Sequence, residues 1–301
     1  MTERNVNLRV SGVTKSFGDF TAVEDLSFQV KAGRIFGFLG PNGAGKTTTI
    51  RMIVGITAPD SGTVELFGRR LSPDLQDRIG YLPEERGLYK KMKVSDQLRY
   101  FAALKGVPKK EADRRIDVWL DRMSLSEWKD KKTSDLSKGM SQKLQFIATM
   151  LHEPDLLILD EPFSGLDPIN VEFMKQVIAE TKSQDKTIIF STHMMETAEK
   201  LCDDILLINK SRRVLAGSLR EIKESYGKNV VSLRCVGGEQ VLEDKTLAGK
   251  VIEHSDEKEV FLAEGAGSQM FLKALVSAGA EISKFELIEP SLNDIFIEKV
   301  R

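Results

Sequence analysis

The run Gly40-Pro41-Asn42-Gly43-Ala44-Gly45-Lys46-Thr47 places glycines, a lysine and a hydroxyl in the order G-x-x-x-x-G-K-[ST], with a strand-like stretch before it and a helix-like stretch after it. Glycines let successive backbone N–H groups turn inward around phosphate oxygens. Lys46 can then reach β and γ oxygens as a point charge, while the Thr47 hydroxyl offers a ligand to magnesium. Thr48 can donate to an α-phosphate from the first helical turn, where the helix dipole also favours anions.

A second chemical element closes the apolar run Leu156-Leu157-Ile158-Leu159 with Asp160 and Glu161. A strand buried on both faces tolerates carboxylates only at its mouth, where metal and water satisfy them. Asp160 is the candidate partner of the Thr47-bound magnesium, and Glu161 is placed to polarise an attacking water. Helix capping is the other reading of an Asp-Glu-Pro run. His193 also stands at the end of an apolar run; a lone histidine is more often structural, but this one sits beside the other strand ends where ligands bind. His152 and His254 have no such context and read as surface or packing residues.

These residues need a scaffold. The first third alternates strand-like runs (NLRVSGVTKSF, VEDLSFQVKAG, IFGFLG) with Gly and Asp turns, and KTTTIRMIVG follows as a helix. From about Glu84 to Asp135 apolar residues recur at three and four positions, which predicts an inserted helical subdomain. That segment carries 14 basic against 10 acidic residues, a mildly basic balance that a solvated helical face explains and a nucleic-acid groove would also show. Buried-strand runs return in PDLLILDEP, KTIIFSTH and DILLINKSRRVLAG, separated by helical stretches at 170–183 and 194–203. The expected fold is α/β with a parallel sheet.

After Ser218 the pattern resets, with strand-like VVSLRCV, EVFLA and EISKFELIE and helix-like SQMFLKALVSAG and SLNDIFIEKV. A domain boundary near 220 is expected, giving 1–220 and a small α+β accessory domain at 221–301. Residues 221–301 hold 10 basic and 15 acidic side chains, a poor sign for a DNA or RNA clamp.

The 301 residues carry 44 Lys+Arg against 45 Asp+Glu, so the formal charge of −1 gives no global attraction to nucleic acid or an anionic bilayer. Cys202 and Cys235 stand apart and fit buried hydrophobes in a reducing cytosol. The N-terminus has no signal-peptide core, and no run of ~18 apolar residues occurs, so the expectation is a chain that stays on the cytoplasmic side and does not cross a membrane itself.

Taken in order, GPNGAGKTTT, LSKGMSQK, LLILDEPFSGLDP and STH resemble the motifs of the ATP-binding subunits of ABC transporters, over about residues 8–220. The resemblance implies a P-loop NTPase of RecA-like core with a helical subdomain at about 84–150, binding ATP and Mg2+. It also implies that Ser137 and Gly139 of one chain complete the site formed by the phosphate loop of another, so that two ATP molecules are sandwiched head to tail. Ser137 as N-cap of a helix offers N–H groups and positive potential to a γ-phosphate. Where the family usually has L-S-G-G-Q, this chain has Leu136-Ser137-Lys138-Gly139-Met140. Lys138 in a first helical turn is disfavoured by roughly 0.3–1 kcal/mol unless an anion is near; it either meets a partner's nucleotide or points to water. Met140 recurs with Leu144, Ile147 and Leu151 on one helical face and reads as core.

Further positions follow from the resemblance. Phe17, by itself a core residue, takes the place of the adenine-stacking aromatic, usually tyrosine. Glu84, by itself part of a solvated turn, stands where the family commonly has a magnesium-sensing glutamine that couples to the membrane subunit. Asp167, otherwise a cap before Pro168, matches the loop that crosses between chains, and His193 matches the histidine that contacts the γ-phosphate. The tail resembles the extension on ATPases of the ABC-2 exporter branch, including drug-resistance and sodium-extrusion systems.

The implied partners are a second ATPase subunit, expected to be an identical copy, and integral membrane permease subunits, with a docking surface around residues 84–100; no nucleic acid is expected. The chain would be peripheral on the inner face of the membrane. A related ATPase acting on ribosomes or DNA would be expected to carry a coiled-coil insertion, a second cassette or a basic appendage, and a non-hydrolysing regulator to lack Glu161.

Overall fold

The computed structural model describes residues 6–85, 87–183, 185–226, 230–253, 256–288 and 290–300. They separate into two compact units that divide between Gly217 and Ser218.

The first unit begins with a hairpin, β1 (Val6–Phe17) and β2 (Phe20–Lys31), followed by β3 (Ile35–Leu39), α1 (Lys46–Ile53), β4 (Ser61–Leu66), β5 (Arg69–Arg70), α2 (Pro73–Gln76) and β6 (Ile79–Leu82). A helical section of α3 (Val94–Leu104), α4 (Lys109–Arg122) and α5 (Lys138–Met150) comes next. The chain then alternates β7 (Leu156–Asp160), α6 (Pro168–Lys182), β8 (Thr187–Thr192), α7 (Met195–Leu201), β9 (Asp204–Asn209) and β10 (Arg212–Ser218).

Six strands form one sheet in the order β10-β9-β3-β8-β7-β6, and β9, β3, β8, β7 and β6 pair in parallel. Every residue of β3, β7 and β8 is buried, as continuous apolar runs covered on both faces require. The hairpin joins β4 and β5 in a four-stranded antiparallel sheet, β2-β1-β4-β5. Its alternate inward residues, among them Leu8, Val10, Leu26 and Val30, close one core with Phe36, Phe38, Ile50, Ile158 and Ile189. Phe28 of β2 stacks on Phe36 and Phe38 of β3 at 5.5 and 5.8 Å between ring centres, which fixes the hairpin over the parallel sheet.

The helical section is held by apolar stripes at helical spacing: Leu98 and Ala102 on α3, Ala112, Ile116 and Leu120 on α4, and Leu144 and Ile147 on α5 are all buried. Trp119 meets Phe146 edge-on at 6.0 Å. Two helices that matter for chemistry start on side-chain caps. The Ser137 hydroxyl accepts from Met140 N at 3.2 Å to open α5, and Asp167 accepts from Asn170 N at 3.0 Å to open α6, with Pro168 at its first position.

The second unit contains α8 (Leu219–Ser225), β11 (Val230–Val236), α9 (Glu239–Glu243), β12 (Ala248–Glu253), β13 (Lys258–Leu262), α10 (Ser268–Ser277), β14 (Glu281–Ile288) and α11 (Leu292–Val300). From β11 onward the chain order is β-α-β-β-α-β, and the antiparallel sheet runs β12-β13-β11-β14. That is the ferredoxin-like split βαβ arrangement. One sheet face packs on α9 and α10 through Val231, Leu233, Val260, Leu242, Phe271 and Leu275. The sequence reading passes over α8, α9 and β12. The helix α9 is only five residues long, and β12 is an edge strand whose residues show no clean alternation of burial.

Candidate functional site

The phosphate loop connects the end of β3 to the start of α1, and its backbone path admits only glycine at two points. Gly40 has φ +154° and a Cβ there would fall 2.3 Å from Ile208 O; Gly45 has φ +106° and a Cβ would fall 2.3 Å from Ala22 O. Ala44 N donates to Pro41 O at 3.2 Å, closing the loop, and α1 then presents Lys46, Thr47 and Thr48 in its first turn. Lys46 is 6% exposed; its ammonium donates to Gly40 O at 2.8 Å and Pro41 O at 3.3 Å. The same Nζ lies 3.3 Å from Glu161 Oε1.

Asp160 and Glu161 sit where β7 ends beside β8. Asp160 is 1% exposed, and its Oδ1 accepts from the Ser191 hydroxyl at 2.5 Å. That hydroxyl oxygen also accepts from Glu161 N at 2.9 Å, so one side chain of β8 positions both acids. Burial pushes the Asp160 carboxyl above the usual carboxylate range; the Ser191 and Thr47 hydroxyls oppose this, and the neighbouring Glu161 adds to it. Glu161, 7% exposed, turns with φ +46°, an uncommon backbone state for a residue with a side chain and one that concentrates at functional sites. His193 Nδ1 lies 3.2 Å from Glu161 Oε1, with the ring half exposed.

Lys46 and Glu161 face a cavity of about 400 Å³, while Asp160 and His193 stand outside its lining and adjoin it through Ser191 and Glu161. Asn42, Gly43, Gly45, Lys46, Thr47 and Thr48 line one side, Glu161 and Glu84 another, and Phe20 and Ala22 a third. Gly40, Pro41 and Ala44 shape the loop from behind. Phe17 is not among the lining residues. It pairs across the hairpin turn with Phe20, which is, and it instead lies beside Lys15, whose ammonium is 5.5 Å from its ring centre.

Asp160 Oδ2 is buried without a hydrogen-bond partner, and among the described residues no group of three or more His, Cys, Asp or Glu could hold a metal alone. An orphan carboxylate oxygen near the Thr47 hydroxyl suits a hard cation that keeps water and takes its remaining ligands from phosphates. The residues therefore fit magnesium bound together with a nucleotide.

Ser137, Gly139 and Asp167 lie outside that cavity lining and form a second group. A Cβ on Gly139 would stand 3.3 Å from the Asn170 amide nitrogen, and Asn170 in turn donates to both Asp167 oxygens. Those bonds hold the Asp167 carboxyl below the usual range. The exposed Lys138 lies over the turn before Asp167: a Cβ on Gly165 would fall 1.9 Å from Lys138 Nζ. Lys138 thus rests on its own chain's Ser164–Asp167 loop. Met140 is half-buried, while Leu144, Ile147 and Leu151 are fully buried.

Three residues that matter here escape the sequence reading. Ser191 stands in the STH motif, but nothing in the sequence gives it a role there beyond polarity at the end of an apolar strand. Buried Gln142 of α5 donates to Pro162 O, tying the helix that Ser137 caps to the turn after Glu161. Phe20 is marked only by standing opposite Phe17 across a Gly18-Asp19 turn. His152 is half-buried, with Nε2 2.9 Å from Ile79 O, and burial lowers its pKa; His254 lies outside the described residues.

A phosphate loop after the first strand of a parallel sheet, paired acids ending a neighbouring strand and a helical section with its own capped serine define a P-loop ATPase of the ATP-binding cassette class. Residues 23–164 match the ABC transporter family, and residues 217–300 match the C-terminal domain of ATP-binding protein DrrA1-3-like. The chain is 46% identical over 293 residues to the ABC transporter ATP-binding protein YhaQ of Bacillus subtilis strain 168, covering 97% of this chain and 98% of that one. It is 36% identical over 239 residues to the Nod factor export ATP-binding protein I of Ralstonia nicotianae, covering 75% and 74%. Among solved structures it is similar to an ATP-binding subunit of an ABC transporter (TM-score 0.68, 32% identity, 73% of this chain and 93% of that one). It is also similar to cbiO1 of Clostridium perfringens, part of the ABC transporter complex cbiONQ (TM-score 0.65, 27% identity, 74% and 94%). The chain belongs to the ABC transporter ATP-binding proteins: it is an ATP-binding subunit with ATPase activity and with export proteins among its relatives.

Proposed function

We propose that this chain is the energy-coupling ATPase of an ABC exporter, working as two identical copies that bind two MgATP head to tail and drive separate integral membrane permease subunits. The observation that carries this reading is the division of ligand groups within one chain. The phosphate loop and Glu161 line one cavity, with Asp160 tied to Glu161 through Ser191 and His193 in contact with Glu161, whereas Ser137, Gly139 and Asp167 present capped helix starts elsewhere. Each group is half of a site, and a C2 pair would make two whole ones.

Within a whole site, Gly40 to Gly45 wrap the phosphates, Lys46 binds the β and γ oxygens, Thr48 binds the α-phosphate, and Phe20 flanks the base with Phe17 behind it across the hairpin turn. Thr47, Asp160 and Glu84 would hold magnesium, which when bound neutralises charge on the phosphate oxygens. Glu161 takes the proton of the attacking water and His193 contacts the γ-phosphate. The Lys46–Glu161 contact gives this a switch: a γ-phosphate that draws Lys46 away frees Glu161 Oε1 for water. Ser137 and Gly139 of the other copy close over the γ-phosphate through N–H groups at the start of α5.

A groove of about 300 Å³ supports docking of a permease segment near residues 84–100. Leu82, Leu88, Phe101, Leu104 and Ala148 make it apolar, and Pro83, the chain neighbour of Glu84, is part of its wall. No helix among the described residues is long and apolar enough to cross a membrane. In this reading the permease partners hold the chain at the inner face. The relative named for Nod factor export and the DrrA-like match support export over import.

The test is purification of tagged Glu161→Gln from detergent-solubilised cells with ATP. Stoichiometric polytopic membrane proteins support the reading, and ribosomal or DNA-repair partners without them refute it.

A further inference from the structure

The basic excess of the helical section is concentrated in one strip. Residues 90–93 and 129–132 are distant in sequence but run side by side: Lys93 and Lys132 form an antiparallel bridge, Val94 N donates to Lys131 O at 3.0 Å, Ser95 N to Lys129 O at 2.9 Å, and Thr133 N to Met92 O at 3.0 Å. The buried Thr133 hydroxyl pins the start of the strip by donating to Tyr89 O at 2.7 Å. Together the two segments carry six lysines and a single acid, Asp130.

Lys129 is spent on Asp117 at 2.5 Å. Lys90, Lys91, Lys93, Lys131 and Lys132 are exposed, and none has a carboxylate partner among the described residues. Lys131 instead lies 4.2 Å above the Trp128 ring. Five like charges on two adjoining segments, none of them paired with a carboxylate among the described residues, repel one another, an arrangement that an anionic surface would relieve.

The residue types say what that surface is. Every unpaired cation in the strip is lysine, a compact point charge that responds to charge density, whereas arginine is the residue whose planar fork matches single carboxylates. Exposed aromatics adjoin the lysines: Tyr89 packs edge-on against Tyr100 at 5.8 Å and stacks on Phe101 at 6.2 Å. Lysine clusters beside exposed tyrosine are the chemistry of a bilayer interface with acidic lipids. Phe101 also lines the groove assigned above to the permease, so strip and groove are continuous along one side of this unit.

We propose that the lysine strip Lys90, Lys91, Lys93, Lys131 and Lys132 binds anionic phospholipid headgroups and holds the ATPase against the membrane surface independently of its permease contacts. The inference takes its direction from the docking reading above but is tested without the permease.

The experiment is co-sedimentation of the purified full chain with vesicles of phosphatidylcholine alone or mixed with phosphatidylglycerol, at low and high salt. The expected result is binding to the phosphatidylglycerol vesicles only, weakened by salt. At roughly fivefold per lysine, replacing all five by glutamine lowers partitioning by about three orders of magnitude, while replacing all five by arginine preserves it. Basal ATP hydrolysis and thermal unfolding of both variants stay at the parental values, which separates failure of this inference from failure of the ATPase reading. Equal binding to both vesicle types, or unchanged binding by the glutamine variant, would overturn it. So would a parental chain that ignores vesicles while the glutamine variant fails to assemble with solubilised permease, because the strip would then read an acidic protein segment.

Discussion

Lys46 Nζ and Glu161 Oε1 face each other at 3.3 Å, both side chains less than a tenth exposed, so the cation proposed to bind phosphate and the carboxylate proposed to activate water share one contact. Removing one partner of a buried pair leaves the other uncompensated. Lys46→Ala is therefore expected to lose ATP affinity by about 10- to 150-fold, the range of a hydrogen bond to a charged group. Glu161→Gln should keep ATP binding while hydrolysis falls by roughly 10²- to 10⁴-fold. Nucleotide titration and phosphate release measure the two separately; equal loss of both in Glu161→Gln would remove Glu161 from the water-activating role.

Asp160 makes a prediction about pH. Its carboxyl is raised by burial, so below the ordinary aspartate range it is protonated in folded and unfolded chains alike and contributes nothing. As pH rises through that range the unfolded chain ionises first, so the penalty on folding grows until the native carboxyl has ionised too and stays in full above that. At neutral pH without magnesium, Asp160→Asn should raise the melting temperature, by about 2–4 °C for each kcal/mol relieved, and should abolish the stabilisation that Mg2+ with ATP gives the parent. A lower melting temperature, or an undiminished Mg2+ effect, contradicts the assignment.

Phe20 and Phe17 separate a cavity wall from its neighbour. Base-aromatic stacking contributes ~1–3 kcal/mol, so Phe20→Ala should weaken ATP binding about 5- to 150-fold. Phe17→Ala, outside the lining, should weaken it less. The reverse order in a fluorescent-nucleotide titration would return the base to Phe17.

Lys138 rests on the Gly165 turn that leads to Asp167, so its replacement should act through that loop. Lys138→Gly is expected to change the ATP dependence of dimerisation with little effect on ATP binding by the single chain. Unchanged dimerisation would leave Lys138 as a solvated side chain with no role in closure.

What the sequence revealed follows from distance along the chain. The phosphate loop is eight consecutive residues whose types state their chemistry, and Asp160 and Glu161 stand out because they end an apolar run that must be buried. The role of Ser191 is hidden because it exists only when β8 lies beside β7 and its hydroxyl reaches both acids. Gln142 is hidden in the same way by its bond to Pro162. The lysine strip is the clearest case: a 14-to-10 charge balance over residues 84–135 looks like an ordinary solvated surface until the bridge at Lys93 and Lys132 gathers the unpaired charges into one place.

The central claim is that one chain holds two halves of different sites. Mixing Lys46→Ala with Ser137→Arg tests it most directly, since each variant alone spoils both sites of a symmetric pair and their mixed dimer rebuilds one. The account predicts that each purified variant is nearly inactive and that the mixture recovers roughly a quarter of parental hydrolysis, from random pairing with one good site per mixed dimer. A mixture no more active than its components, or Ser137→Arg turning over ATP at the parental rate alone, would contradict it.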